Sequence, residues 1–386
     1  MILVAQASAN ESPQPTGDVV FDGGFAYWPE IGPEVVAANN TGSGETEPAK
    51  TRIVATIIQL NLATGERRTL FSTGSHYKTF LGSVVANAGR IAFTARTYSR
   101  SSKKPRIKRD LTKAYSMAIG DPLPTLLEEQ AMVYRGVNVW KRHKGKRYKE
   151  FKVKSYCGEE VETRDISELG ITLVARTTIS CKRLTKKKAS SSNRNEKYKA
   201  FGYAPGSASA IAYGTAPYGP LLLRSNELFG AGENETVAAR DVSSNAIRSY
   251  ATGGYPIDID VSSDRRVAAV SLHWAGKNKA PAQILTIFPP AATEPVVTVP
   301  LLNEVIATTF CTDSVLQVSA AASAANSRPD VTKGPLLLTL RDFNGAVLNE
   351  ITLPANGQLL GSGCSGRTAQ LATRGSLGVV VTSYPL

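Results

Sequence analysis

Val261-Ser262-Ser263-Asp264-Arg265-Arg266-Val267-Ala268-Ala269-Val270 is the stretch on which the reading of this chain turns. A run of Ser and Asp, residues that tolerate tight backbone, delivers directly into four apolar residues, the pattern of a hairpin that launches a buried strand. Working outward, short apolar strands of the same kind recur at irregular spacing: Phe25-Ala26-Tyr27-Trp28, Ile91-Ala92-Phe93-Thr94, Ile171-Thr172-Leu173-Val174, Leu228-Phe229-Gly230-Ala231, Val315-Leu316-Gln317-Val318 and Thr368-Ala369-Gln370-Leu371. Polar turns precede most of them, among them Asp22-Gly23-Gly24, Asn87-Ala88-Gly89-Arg90, Thr312-Asp313-Ser314 and Ser365-Gly366-Arg367.

A repeat of this kind implies a β-propeller. The 261–270 stretch resembles the blade signature of TolB-type, WD40-like propellers, in which an inner strand ends in a Ser-x-Asp-Gly-Arg-like turn and the next strand opens on an apolar pair. Arg265 stands where that signature has Gly, and its Asp is missing near Arg90 and Arg367. The resemblance implies an all-β fold and carries no activity with it. Seven units in 386 residues leave about 55 residues per blade, against ~40–45 for a compact four-stranded blade. Each blade therefore carries loop insertions.

Third-to-fourth-strand hairpins are readable at 57–71 around Ala63-Thr64-Gly65-Glu66, at 237–250 around Ser243-Ser244-Asn245, at 336–353 around Phe343-Asn344-Gly345, and at 284–299 around Pro289-Pro290. With these fixed, the long irregular segments 29–52, 99–112, 177–196, 275–280 and 320–334 fall between second and third strands, so one face of the propeller is expected to carry long loops. The last unit supplies strands at 358–363, 368–373 and 377–382 but no fourth. The reading lends it Ile2-Leu3-Val4-Ala5, which closes a single domain over 1–386 and removes an open edge.

Composition agrees with a turn-rich β protein: 42% hydrophobic and 20% charged residues, with 32 Gly and 21 Pro. No run approaches the ~20 apolar residues of a membrane helix. Met1-Ile2-Leu3-Val4-Ala5-Gln6-Ala7-Ser8 has no basic start and too short an apolar run for a leader. A Ser-, Thr-, Gly- and Ala-rich propeller with four cysteines nevertheless points to an extracellular or cell-envelope protein whose leader has been removed. The disulfide candidates are Cys157 with Cys181 and Cys311 with Cys364, although four cysteines permit three pairings and free buried thiols are the plain alternative. No Cys/His spacing of a zinc site occurs, and no metal or cofactor is expected.

Net charge is +13, and it is not spread evenly: residues 96–199 hold 27 Lys and Arg against 11 Asp and Glu, while the remainder holds 18 against 21. A field of that size draws polyanions. Three runs carry it, at 100–109, 141–147 and 182–188. Lys103, Lys104, Arg106, Lys108 and Arg109 from the first, with Lys186, Lys187, Lys188 and Arg194 around the third, are the candidate partner-binding residues, expected on loops of blades 2 and 3 that meet on one face. The middle run caps an extra basic hairpin near blade 3, with strands over 133–140 and 147–156. Solvated surface accounts for any single run; their clustering argues for a shared anionic surface. Trp140, Tyr148, Phe151 and Tyr156 interleave with the lysines, as in single-strand nucleic-acid binders, but hairpin packing explains the same aromatics and no recognition motif accompanies them.

Catalytic signatures are absent. His76, His143 and His273 lie far apart, and no Gly-x-Ser-x-Gly, His-Glu-x-x-His or phosphate-loop pattern is present. Gly361-Ser362-Gly363-Cys364-Ser365-Gly366 is a turn before a strand, without the strand-to-helix setting of a nucleophile. Asp258 and Asp260 alternate on an inner strand, where they either line the channel or support turns. The sequence thus favours a non-catalytic binding or scaffold propeller that recognises an anionic polymer, glycan or acidic protein, with nucleic acid less favoured. A propeller hydrolase or lyase acting on a polyanionic carbohydrate, and a structural subunit of a surface assembly, are the alternatives.

Overall fold

The structure, a computed structural model, describes residues 2–4, 13–36, 50–73, 79–100, 107–143, 146–183, 196–216, 219–274, 281–290, 292–320, 335–354, 358–375 and 378–386. Among these, every regular element is a strand. In chain order they are β1 (Ile2–Val4), β2 (Gln14–Pro15), β3 (Val20–Asp22), β4 (Phe25–Val36), β5 (Lys50–Asn61) and β6 (Arg67–Ser72). Next come β7 (Thr79–Asn87), β8 (Arg90–Arg100), β9 (Ile107–Ala118), β10 (Thr125–His143), β11 (Lys146–Ile166), β12 (Thr172–Arg183), β13 (Glu196–Tyr203) and β14 (Ala210–Thr215). Then follow β15 (Leu221–Arg224), β16 (Glu227–Ala231), β17 (Thr236–Asp241), β18 (Ile247–Ala251), β19 (Tyr255–Val261), β20 (Val267–His273), β21 (Ala282–Phe288) and β22 (Val297–Leu301). The chain ends with β23 (Glu304–Phe310), β24 (Ser314–Ala320), β25 (Leu336–Asp342), β26 (Val347–Leu353), β27 (Gln358–Ser365), β28 (Thr368–Gly375) and β29 (Gly378–Pro385).

Neighbouring strands pair antiparallel in chain order, so the sheets are meanders: β15 to β18, β19 to β22 and β23 to β26 each form one, and β3 to β6 form another with β2 added on β4. The sheet of β27, β28 and β29 is completed by β1, with Ile2 opposite Thr382 and Val4 opposite Val380.

The seven apolar stretches read from the sequence lie in β4, β8, β12, β16, β20, β24 and β28, except that Ile171 precedes β12. The reason is burial on both faces: β16 is buried at every position, and Val267 to Ser271 in β20 likewise. A strand covered on both sides reads as an apolar run, whereas outer strands such as β18 and β26 alternate with solvent.

Apolar side chains between successive sheets close the architecture. Tyr27 and Ile57 pack with Ile91, Phe93 and Met117; Leu173 and Tyr213 with Leu221 and Leu228; Phe229 and Val237 with Val267 and Phe288; Leu285 with Val305 and Val315; Leu316 and Leu338 with Leu359 and Leu371. The last meander then meets the first through Val379 and Val381 against Trp28, Ile58 and Leu60. Backbone seals the same junction, where the Val19 amide donates to the Leu360 carbonyl at 2.8 Å. Cys311, just after β23, is disulfide-bonded to Cys364 in β27, joining two adjacent inner strands. Cys157 is also in a disulfide, while the side chain of Cys181 lies outside the described residues.

Three expectations change. The segments 29–52, 99–112 and 177–196 are not irregular throughout: β4 and β5 continue to Val36 and from Lys50, β8 and β9 to Arg100 and from Ile107, β12 and β13 to Arg183 and from Glu196. Ladder pairing carries these polar stretches, for Arg100 opposes Lys108 and Val36 opposes Lys50. Nor is the basic hairpin an extra element. It is the prolongation of β10, which also pairs with β9, and of β11, which also pairs with β12, so that β7 to β14 form one eight-stranded sheet spanning two meanders. Third, of Asp258 and Asp260 on β19 only Asp260 lines the central cavity, as described below.

Candidate anion-binding face

The eight-stranded sheet is where the basic residues gather. Strands β8 to β12 all extend toward the same end, and β10 with β11 reach furthest, pairing His143 with Lys146 beside the tip. Of the partner-binding candidates, Lys108 and Arg109 stand at the start of β9, opposite Arg100 and Ser99 on one side and Tyr134 and Val133 on the other. Lys103, Lys104 and Arg106 fall in 101–106, and Lys186, Lys187, Lys188 and Arg194 in 184–195, both outside the described residues. The strand ends that flank these two segments, Arg100 with Ile107 and Arg183 with Glu196, belong to the same sheet.

Register makes a row that spacing in the sequence does not reveal. Arg100 on β8 is opposite Lys108 on β9, Lys108 opposite Tyr134 on β10, Tyr134 opposite Tyr156 on β11, and Tyr156 opposite Lys182 on β12. Directly opposed residues share a face of a sheet. The two tyrosine rings lie side by side, centroids 6.1 Å apart and planes 26° from parallel. Further along β10, an even number of residues from Tyr134, Trp140 is 63% exposed and opposes Lys149. Sequence reasoning named Tyr156 and Trp140 and placed Arg100 in its first basic run, but passed over Tyr134, because nothing local distinguishes it before the pairing is known.

Beneath the row an ion-pair network fixes its centre. Arg96 Nη2 donates to the Tyr134 hydroxyl at 3.2 Å and to Asp110 at 3.4 Å, and lies 3.9 Å from Glu160. Burial, and then the Asp110 carboxylate, hold the Tyr134 phenol above its ordinary pKa, so the ring stays neutral. Threonines close the seam between the two meanders: Thr112 Oγ1 accepts from the Val161 amide, and Thr94 Oγ1 from the Thr163 amide, both at 3.0 Å. A cavity of about 350 Å³ lies against this seam, lined by Arg96, Thr112, Glu160 and Glu162.

A second concavity marks the middle of the ring. Its volume is about 420 Å³, and inner strands from around the molecule contribute Asp22, Asn87, Asp165, Arg224, Asp260 and Phe310. The polar groups here are largely spent on structure. Arg224 pairs with Asp165, approaches Asp260 at 3.8 Å, and donates through Nε to the Val261 carbonyl at 3.1 Å. Asp165 also accepts from the Leu223 amide at 2.7 Å, and Asp260 from the Phe310 amide at 2.7 Å. Asp258 accepts the Thr308 amide at 2.8 Å; burial first, then the neighbouring Asp260 carboxylate, push its pKa up to about 6. Both carboxylates thus tie β19 to β23, and Asp260 in addition reaches the cavity. His273 Nδ1 lies 2.9 Å from the Gly253 carbonyl, and His76 is outside the described residues. No group of three or more His, Cys, Asp or Glu suited to a metal ion occurs among the described residues.

No protein-family model matches the chain, and no curated protein matches it. Among solved structures it is similar to the β-propeller domain of the Trilobed protease from Pyrococcus furiosus, with TM-score 0.49, 8% identity and coverage of 96% of this chain and 93% of that one. Sqt1 from Saccharomyces cerevisiae matches with TM-score 0.42 and 10% identity over 98% of this chain and 100% of that one. BamB from Moraxella catarrhalis matches with TM-score 0.37 and 9% identity over 99% of each chain. The fold rests on the chain's own topology: antiparallel meanders in succession, packed face to face, with their first strands around a common cavity and the last sheet packed on the first, make this a β-propeller.

Proposed function

We propose that this chain is an exported, non-catalytic binding or scaffold protein, a single seven-bladed propeller over 1–386, which holds an anionic partner on the basic extension of its second and third blades. One observation carries the reading. The register sets Arg142 directly opposite Arg147, and Arg100 opposite Lys108. Like charges directly opposed on a ladder destabilise it, by an amount comparable to the ~0.2–1 kcal/mol of a favourable pair. Two such pairs in one sheet concentrate positive charge locally, and a field of that kind draws an anionic partner. The disulfide between Cys311 and Cys364 supports an oxidising compartment. In the central cavity, the commitment of Asp165 and Asp260 to Arg224 and to backbone amides favours binding over hydrolase or lyase chemistry there.

Replacing Lys103, Lys104, Lys187 and Lys188 together by Ser tests the reading. Retention on immobilised heparin should weaken and its salt dependence flatten, because fewer counterions are released, with the melting temperature unchanged. Retention equal to that of the parent at every salt concentration would defeat it.

A further inference from the structure

We infer that the cleft between the first and second meanders, at the end of the ring opposite the basic extension, is a binding site for a neutral saccharide. Its volume is about 600 Å³, within the ~300–1,000 Å³ of small-molecule sites. The inference is independent of the anionic-partner reading, because none of the basic candidates named there lines this cleft.

Register explains why the cleft exists. On β5, Ile57, Gln59 and Asn61 share one face, with Tyr27 and Phe25 of β4 opposite Gln59 and Asn61, and Arg68 of β6 opposite Gln59. Toward the middle of the strands that face is filled, for Tyr27 and Ile57 pack on Ile91, Phe93 and Met117 of the second meander. Toward the hairpin turns it is not. The second meander presents Gly89 and Gly120 there, and a Cβ on either would meet no atom within 4 Å beyond its chain neighbours. Polar side chains of the first meander are thus left facing a gap. Strand β8 runs from this end, at Arg90, to the basic end, at Arg100.

The groups facing the gap are not committed elsewhere. Gln59 is only 6% exposed; its Nε2 donates to the Tyr27 hydroxyl at 3.2 Å, and its Oε1 has no hydrogen-bond partner among the described residues. Asn61 Oδ1 accepts from the Ala63 and Thr64 amides at 2.9 and 3.1 Å, which leaves its Nδ2 to a ligand. Asp22 accepts from the Gly89 amide, and burial raises its pKa. Among the described residues neither it nor Glu66 nor Arg68 has an ion-pair partner. Acceptors at Asp22, Glu66 and Gln59 therefore stand with donors at Arg68 and Asn61, and the ligand must offer both. A sugar hydroxyl donates and accepts at once, and planar carboxylate, amide and guanidinium groups suit pairs of adjacent hydroxyls. A cation would be repelled by Arg68 and an anion by Asp22 and Glu66, which selects a neutral polyol over either. Phe25, opposite Asn61, supplies apolar surface for the carbon face of a pyranose ring.

Titration calorimetry of the full chain with glucose, galactose, mannose, N-acetylglucosamine and their disaccharides, and with putrescine and acetate as charged probes, tests the site. At least one saccharide should bind, with an affinity that salt leaves unchanged. Glu66→Ala and Arg68→Ala, both at exposed positions, should each weaken it roughly tenfold at an unchanged melting temperature, and Glu66→Gln, which keeps an acceptor, should weaken it less. If one of the alanine variants melts lower, the other and Glu66→Gln decide. Saccharide binding that none of the substitutions alters would lie elsewhere on the molecule and overturn the inference. Putrescine binding tighter than any saccharide and strengthened by Arg68→Ala would overturn it in favour of a cation, and acetate binding tighter than any saccharide and strengthened by Glu66→Ala in favour of an anion. No saccharide binding across the panel would also overturn it.

Discussion

Asp258 and Thr308 join two consecutive inner strands through one hydrogen bond, the Thr308 amide donating to the Asp258 carboxylate at 2.8 Å. Burial and the Asp260 charge raise the Asp258 pKa to about 6. A carboxyl whose folded pKa lies above its unfolded value of ~3.9 stabilises the fold fully at low pH and loses that contribution as pH rises through 6. Asp258→Asn keeps an acceptor for Thr308 and removes the titration. Relative to the parent, it should therefore gain about 2–3 kcal/mol in unfolding free energy between pH 4 and pH 7, read by urea denaturation at several pH values. A difference that does not change with pH would refute the assignment.

Arg224 spans three inner strands through Asp165, Asp260 and the Val261 carbonyl, and its side chain is only 15% exposed. Arg224→Met leaves Asp165 largely buried without its cation, at a cost of ~3–5 kcal/mol. Adding Asp165→Asn to that variant should restore a substantial part of the loss. Denaturant midpoints of the three variants measure the coupling, and additive losses would contradict it.

The stretch that decides the fold also holds a strained residue. Arg265 occupies the glycine position of the Ser262-to-Arg266 turn with φ of 69°, while Ser262, Asp264 and Arg266 lock the turn by hydrogen bonds. A left-handed non-glycine residue costs ~1–2 kcal/mol, partly offset in glycine by unfolded-state entropy. Its half-exposed guanidinium lies 3.6 Å from the buried Glu227 carboxylate, which Arg248 also pairs. Arg265→Gly should raise stability by about 0.5–1 kcal/mol and Arg265→Val should lower it. Thermal melts of the two variants in opposite directions would confirm the strain.

The second strands were legible because burial on both faces leaves an unbroken apolar signature, as at Val267 to Val270. The extended parts of β4, β8 and β12 were not. Pro29, Gly32 and Pro33 punctuate β4, and Ser, Lys and Arg fill the ends of β8 and β12, so composition there reads as loop although the backbone pairs. The tyrosine row escaped for a different reason. Tyr134 and Tyr156 become neighbours only through the β10 and β11 register, which bulges at Arg135 and Gly136 and so shifts the pairing that simple alternation would give.

At the ring junction, β1 covers the outer edge of β29. Removing residues 1–8 uncovers that edge and should lower the melting temperature by several degrees. An unchanged melt would show that the covering strand adds nothing. Breaking the other link at this side of the ring, by Cys311→Ser with Cys364→Ser, should cost ~2–4 kcal/mol. Non-reducing peptide mapping of the parent should recover the Cys311–Cys364 link.

Repeat proteins change size by gaining or losing whole units, which requires that each unit be separable from its neighbours. The shared ladder of β10 and β11 removes that freedom for two of them. Excising either would strand half of a hydrogen-bonded sheet, so the pair can be inherited, duplicated or deleted only together. The seam that presents the basic face is thus also a lock on the number of repeats in the ring.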